Sequence, residues 1–394
     1  MASEKAPAKK MIVGQRIAVT IEKVAHGGHF IARHDGAVIF VRHAIPGEEC
    51  TIEISSVGSS FNRGDVVSVE KVSTDRVSPP CSYAHRLGCG GCDFQHIEIS
   101  AQRKLKSDVI REQFARIAKM DIDIEVEEVG PALGWRTRAV ASVTKSGKLG
   151  FISARSHNVI AIENCPITAP GIKFSTLAKK EWQSGEKIDL ATSSTGESYV
   201  TGDTSELLHE KVGDNVLEVS NDSFWQSHIN APTVLTEIVS EYAHVHNGEH
   251  VLDLYGGVGL FTSALIGQVG PTGRIDLIEG SKSATTDAKR NFMDYKNVHI
   301  VTASVERAIT RIEGGDVVIL DPPREGAGKE VISELARISP RAIVYVACDP
   351  AALARDTTYL QEVGYALKKI RAFDLFPMTH HIETVGLYER NEVS

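Results

Sequence analysis

The chain is 394 residues long, 42% hydrophobic and 24% charged, which excludes a wholly disordered or fibrous protein and leaves room for two or three domains. Its 51 acidic residues outnumber 43 basic ones, and the net charge of -8 excludes a surface that wraps nucleic acid wholesale while allowing one local basic face. No apolar run approaches the roughly 20 residues that span a bilayer, MASEKAPAKK lacks a secretory core, and six cysteines are too few for a disulfide scaffold, so a soluble cytoplasmic protein with no membrane partner is expected.

Residues 1–10 read as a disordered tail. Over 11–74 five short β-type runs (QRIAVTIEKVA, HFIARHD, AVIFVRHAI, EECTIEISSV, DVVSVEKVS) are divided by Gly- and Pro-containing turns, the pattern of a small closed barrel of the oligonucleotide-binding type. Residues 75–230 make a small α+β central domain that opens on a cysteine cluster. It contains one amphipathic helix over 97–120, with Leu105, Val109, Ile110, Phe114 and Ile117 at helical spacing, expected to pack on the last domain. The stretch 124–224 is strand-rich without a pattern that fixes its pairing. From 231 to 394 a helix over 231–246 leads into alternating strands and helices, which predicts an α/β, Rossmann-like doubly wound sheet.

The chemistry-bearing residues cluster at the ends of those strands. In VLDLYGGVGLFT a strand runs into a glycine loop and then a helix, so that backbone N–H groups can approach a ligand at Gly257 and Gly259, with Asp253 inside the strand's end. Glu279 ends the next strand, where a carboxylate reaches ribose hydroxyls. Asp321 of LDPPREG and Cys348 of VYVACDP end the fourth and fifth strands, and Glu383 of HHIETV starts the last. Cys348 precedes a helix that begins near Pro350, a place where the helix dipole lowers a thiol pKa. Glu383 is a candidate general base, with His380 and His381 as competitors. Cys81, Cys89, Cys92 and, on weaker spacing, Cys165 are candidate ligands for a structural zinc or an iron–sulfur cluster, and spacing does not separate the two; Cys50 reads as a core residue.

Taken together, CGGC, SFWQSH, LDLYGGVGLF, IEG, LDPPREG, VYVACDPAALARD and HHIETV resemble the RNA uracil-5 methyltransferase family, over nearly the whole chain from about residue 11. The resemblance implies a class I, S-adenosylmethionine-dependent methyltransferase domain behind a TRAM-type barrel, acting on C5 of a uridine in ribosomal or transfer RNA, as a monomer. It implies that Gln226, Tyr255, Glu279, Ser304 and Asp321 surround the methyl donor. It further implies a [4Fe-4S] cluster on Cys81, Cys89, Cys92 and Cys165, with Cys348 as nucleophile and Glu383 as base. The residue types suit that chemistry: uracil C5 becomes nucleophilic only after a thiolate adds at C6, and a separate base must then remove the C5 proton. Phe224 or Trp225 is a candidate platform for a flipped-out base.

This chain departs from the family pattern in four places. The first cysteine gap is seven residues long, Gly256 stands where Cys is common, Ser227-His228 replaces Val-Asn, and Asp349 replaces the Asn after the nucleophile. A carboxylate beside the thiol raises its pKa. The alternatives are a cytosine-5 RNA methyltransferase, a non-catalytic iron–sulfur RNA-binding protein and a hydride-transfer enzyme. DPPREG carries no cysteine after its prolines, which disfavours the first, and intact donor and nucleophile motifs disfavour the second. The third leaves Cys348 and Glu383 without a role.

Overall fold

The computed structural model describes residues 11–204 and 207–391; the tail expected at 1–10 lies outside them. Strands β1 (Arg16–Ala25), β2 (His29–His34), β3 (Ala37–Arg42), β4 (Glu49–Val57) and β5 (Asn62–Lys71) close a barrel in the order β1-β2-β3-β5-β4. Alternation does the sorting: Ile17, Val19 and Ile21 of β1 and Cys50, Ile52 and Ile54 of β4 point inward and are buried. Cys50 is thus the core residue its strand pattern requires.

Helix α1 (Ile99–Gln113) is shorter than the expected 97–120. The Glu98 carboxylate caps its start by accepting the Ser100 and Ala101 N–H groups. At its end the chain widens into a π turn over Phe114–Ala118, which keeps Phe114 fully buried and stops at Lys119 in left-handed conformation (φ 56°). The stretch that periodicity could not arrange holds β6 (Val126–Glu128), β7 (Arg138–Val143), β8 (Leu149–Ile152), β9 (Val159–Ala161), α2 (Phe174–Leu177), β10 (Lys187–Thr192) and β11 (Ser198–Val200), then the hairpin β12 (Leu207–Val212) and β13 (Asn215–Ser220). Five of these strands form a small sheet ordered β11-β10-β7-β8-β9.

The last region alternates α3 (Ala231–Ala243), β14 (His250–Leu254), α4 (Leu260–Val269), β15 (Arg274–Glu279), α5 (Lys282–Asn291), β16 (Val298–Thr302), α6 (Val305–Ala308), β17 (Val317–Leu320), α7 (Gly328–Ile338), β18 (Ala342–Ala347) and α8 (Pro350–Glu362), and closes with β19 (Tyr365–Asp374) and β20 (Glu383–Arg390). The sheet order is β16-β15-β14-β17-β18-β20-β19-β6. Order reverses beside β14, so the crevice for a ligand lies beyond the carboxyl ends of β14 and β17. The three-residue β6, from the central stretch, pairs parallel to β19, and the Arg371 guanidinium holds it by two 2.7 Å bonds to Glu127. A buried Lys106–Asp374 ion pair (2.6 Å) ties α1 to β19. The barrel core, α1 and one face of the large sheet make one continuous apolar cluster, which couples the barrel to the sheet through packing. No helix among the described residues is long and apolar enough to cross a membrane.

Candidate active site at the carboxyl edge of the sheet

The strand β14 delivers Asp253, fully buried, at the start of the glycine loop. Its Oδ2 accepts the Thr262 N–H (3.0 Å) and hydroxyl (2.7 Å) at the head of α4, while Oδ1 is buried with no partner among the described residues. Burial and the nearby Glu279 push its carboxyl up to about 6. The loop needs its glycines. A side chain on Gly259 (φ 100°) would run 2.1 Å from the Phe292 ring, whereas beside Gly257 (φ 56°) the space is open. Glu279, at the end of β15, accepts the Gly257 N–H (3.2 Å) and the Ser281 N–H (2.6 Å), which pins its carboxylate over the loop.

Tyr255 takes a left-handed φ of 63°, a conformation costly for a non-glycine residue, and its hydroxyl donates to Glu306 (3.3 Å). Ser304, exposed ahead of α6, lies across from Gly280 and leaves the helix start without a side-chain cap. The unpartnered Asp253 oxygen, the open space beside Gly257 and the pinned Glu279 carboxylate lie together at the carboxyl ends of β14 and β15.

The neighbouring strands bring the second group. In the antiparallel β18–β20 pair Ala347 faces Thr384, so Cys348 and Glu383 sit side by side at the same edge, next to Asp321 after β17. Gln226 donates a long hydrogen bond (3.5 Å) to Asp321. Glu383, 4% exposed, is raised well above the ordinary carboxylate range by burial and the like charge of Asp321. Asp321 is pushed up to about 7 by burial and Asp253. The sheet edge therefore gathers Gln226, Asp253, Asp321, Cys348 and Glu383 from five separate sequence segments.

Three expectations change. The helix N-terminus was expected to lower the Cys348 thiol; instead the thiol is pushed up to about 12 by burial, then by Glu383 and Asp321. The helix start offers no offset: the Asp349 Oδ1 accepts the Ala351 (3.0 Å) and Ala352 (2.9 Å) N–H groups, so those donors are spent on the carboxylate beside the thiol. Trp225 is buried in the core and cannot receive a base, whereas Phe224 is 68% exposed. The rival base His380 donates its Nδ1 side to Asp93 (2.6 Å), and His381 is pushed down to about 3 by burial, with the charge of His380 adding to it. Arg324, not singled out from the sequence, is the cation that acts on the thiol, and it also reaches His381 (3.4 Å). Its position inside DPPREG was the available signal.

Away from this edge, Cys81, Cys89, Cys92 and Cys165 line one small cavity of about 30 Å³ with Arg136 and Asn164. Gly90, between two of them, packs so closely on the β8–β9 turn that a side chain would run 2.6 Å from the Ala154 nitrogen, which explains a glycine inside CGGC. Burial raises Cys89, and lifts Cys92 to about 12 and Cys165 to about 11, and all six cysteines are free thiols. Among the described residues no group of three or more Cys, His, Asp or Glu side chains closes on a single metal ion.

The family profile described as tRNA (Uracil-5-)-methyltransferase matches residues 201–391, and the TRAM domain profile matches residues 10–67. An uncharacterized RNA methyltransferase of Streptomyces avermitilis is 37% identical, with 96% of this chain and 99% of the relative covered. Another from Bdellovibrio bacteriovorus is 31% identical, with 96% of each covered. The crystal structure of Pyrococcus abyssi tRNA (uracil-54, C5)-methyltransferase in complex with S-adenosyl-L-homocysteine shares the fold, with TM-score 0.71, 22% identity and coverage of 94% of this chain and 99% of that one. With near-complete coverage by such relatives the chain belongs to the RNA methyltransferases, and residues 201–391 match the tRNA (uracil-5-)-methyltransferase family profile.

Proposed function

We propose that the protein methylates C5 of one uridine in a structured transfer or ribosomal RNA, with Cys348 as covalent catalyst and Glu383 as the base that releases it. The observation that carries this reading is the β18–β20 pairing, which sets a thiol and a buried carboxyl side by side above the donor crevice. The Cys348 sulfur, as thiolate, bonds to C6, and the displaced C5–C6 electron pair makes C5 the nucleophile that would take the donor's methyl group. Glu383 then takes the C5 proton, the double bond re-forms and the sulfur leaves. S-adenosylmethionine, when bound, supplies the electrophilic methyl group and a positive charge. Toward that charge this chain offers Asp253, Glu279 and Asp321, with Tyr255, Ser304 and the Gly257–Gly259 loop around them and Gln226 steadying Asp321.

Thiol and carboxyl are both held in their protonated forms by burial, with the like charge of Asp321 added, so an arriving cation favours ionisation of each. Phe224, exposed next to Gln226, is the proposed platform for the flipped base. The RNA flank is proposed to leave along a basic path. It runs from Arg324 and His381 past His380 and Arg42, which share Asp93, to Arg155 and Arg63, whose guanidinium covers the exposed Phe61 ring at 4.7 Å. Arg155 feels both Arg63 and Arg42, a crowding of like charge that phosphate relieves.

Cys81, Cys89, Cys92 and Cys165 are proposed to hold a [4Fe-4S] cluster. The four thiols line one cavity with Arg136 beside them, and the family resemblance selects iron over zinc for it. Protein isolated without air should contain iron and sulfide; one zinc and no iron would remove the cluster from this reading. RNA carrying 5-fluorouridine at the target tests the covalent step, because fluorine cannot leave as a proton. The expected result is a methylated RNA–protein adduct that survives denaturing electrophoresis. Methylation of ordinary RNA without any adduct on fluorinated RNA would overturn the thiolate mechanism.

A further inference from the structure

The turn between β1 and β2 of the barrel reaches both loops that carry the catalytic pair. The His26 Nε2 lies 2.9 Å from the Asp349 Oδ2, next to Cys348, and Gly28 packs so tightly that a side chain there would sit 2.9 Å from the His380 ring, three residues before Glu383. A carboxylate only accepts, so Nε2 carries the hydrogen in this contact. The two side chains remain 40% and 24% exposed, so the contact is reached by water and adjustable. Asp349 is fully engaged: Oδ1 takes two helix N–H groups and Oδ2 takes the barrel histidine.

We propose that His26 is a positioning residue of the methyltransferase, through which the docked barrel offsets the Asp349 charge beside the nucleophile and so keeps Cys348 reactive. The groups that face the thiol are Glu383, Asp321 and Asp349, which disfavour its ionisation, and Arg324, which favours it. Two residues further along the same turn, Gly28 packs on His380 and Asp93, and Asp93 pairs with both His380 and Arg42. Of the three acids, Asp349 alone reaches a barrel side chain, so the barrel's grip on the nucleophile acts there. A barrel that lifts away takes His26 with it and leaves the carboxylate bearing on the sulfur unopposed. The proposal rests on the reading of Cys348 as the nucleophile.

The test is the pH profile of iodoacetamide alkylation at Cys348, read by mass spectrometry of its peptide in full-length protein without RNA. H26A should move the profile to higher pH and slow alkylation at pH 8 about threefold to tenfold, the size of one lost hydrogen bond to a carboxylate. D349N should move the profile to lower pH, and H26A/D349N should behave as D349N alone. H26Q, which keeps an N–H donor, should hold most of the wild-type rate, and it keeps the measurement decisive if H26A loosens the barrel. An H26A shift that persists in the D349N background, or no shift in H26A and H26Q alike, overturns the proposal. The readout needs no turnover, so a C348A variant that still methylated RNA would sink the proposed nucleophile without changing this profile.

Discussion

Two halves of one sheet edge differ in how many hydrogen bonds hold their carboxyl groups. On the donor side Asp253 and Glu279 are pinned by four hydrogen bonds from Thr262, Gly257 and Ser281. On the nucleophile side Asp321 has one long bond from Gln226, and Glu383 feels only burial and a like charge. Pinned carboxylates keep a fixed shape and suit recognition of a ligand. Carboxyls left with unrelieved burial and repulsion hold their protons until something cationic or proton-bearing arrives, which suits chemistry. The contrast supports the proposed division, with donor binding at β14–β15, reaction at β18–β20 and Asp321 between the two.

The sharpest way to break that division is C348A. Methylation should fall to background while calorimetric binding of S-adenosylmethionine stays at the wild-type value; a parallel loss of affinity would place the thiol on the donor side. E383Q comes next, with turnover expected to drop on the order of a hundred- to ten-thousandfold and an RNA adduct to accumulate on ordinary substrate. Near-normal turnover would transfer the base to His380 or His381. D253N should do the reverse of C348A. It loosens the Thr262 contacts, weakens donor affinity about tenfold, as for one lost hydrogen bond, and leaves the alkylation rate of Cys348 nearly unchanged.

The smallest expected effect is on stability. Asp321 is lifted from an ordinary 3.8 to about 7, so the folded protein keeps a proton that the unfolded chain releases. The Asp321 contribution to stability should therefore fall as pH rises from about 4 to about 7, and D321N should lack that part of the loss. Melting temperatures across that window should diverge in favour of D321N by a few degrees and then level off. A constant gap would mean that Asp321 is no more strained than the donor-side acids.

What local pattern encodes, the sequence determined. Alternating strands and helices after residue 231, the glycine loop and the strand-end positions of Asp253, Glu279, Asp321 and Cys348 all follow from periodicity and turn chemistry, because a parallel sheet sends every strand end to one edge. The barrel was legible for the same reason: inward and outward residues alternate along each strand. Tertiary structure alone decided the rest. A three-residue β6 has no period to read, and it joins the sheet only because β19 offers a free edge and Arg371 a partner for Glu127. Helix α1 stops at Gln113 although its apolar spacing continues, since packing on α8 favours a π turn. The thiol's environment was misjudged from its place before a helix. The donors there go to Asp349, and the acids that raise Cys348 come from strands whose adjacency only the sheet order fixes. His26 carried no signal at all: its partner lies 323 residues away, and a contact of that separation is set by how the barrel packs on the sheet rather than by any neighbour in the chain.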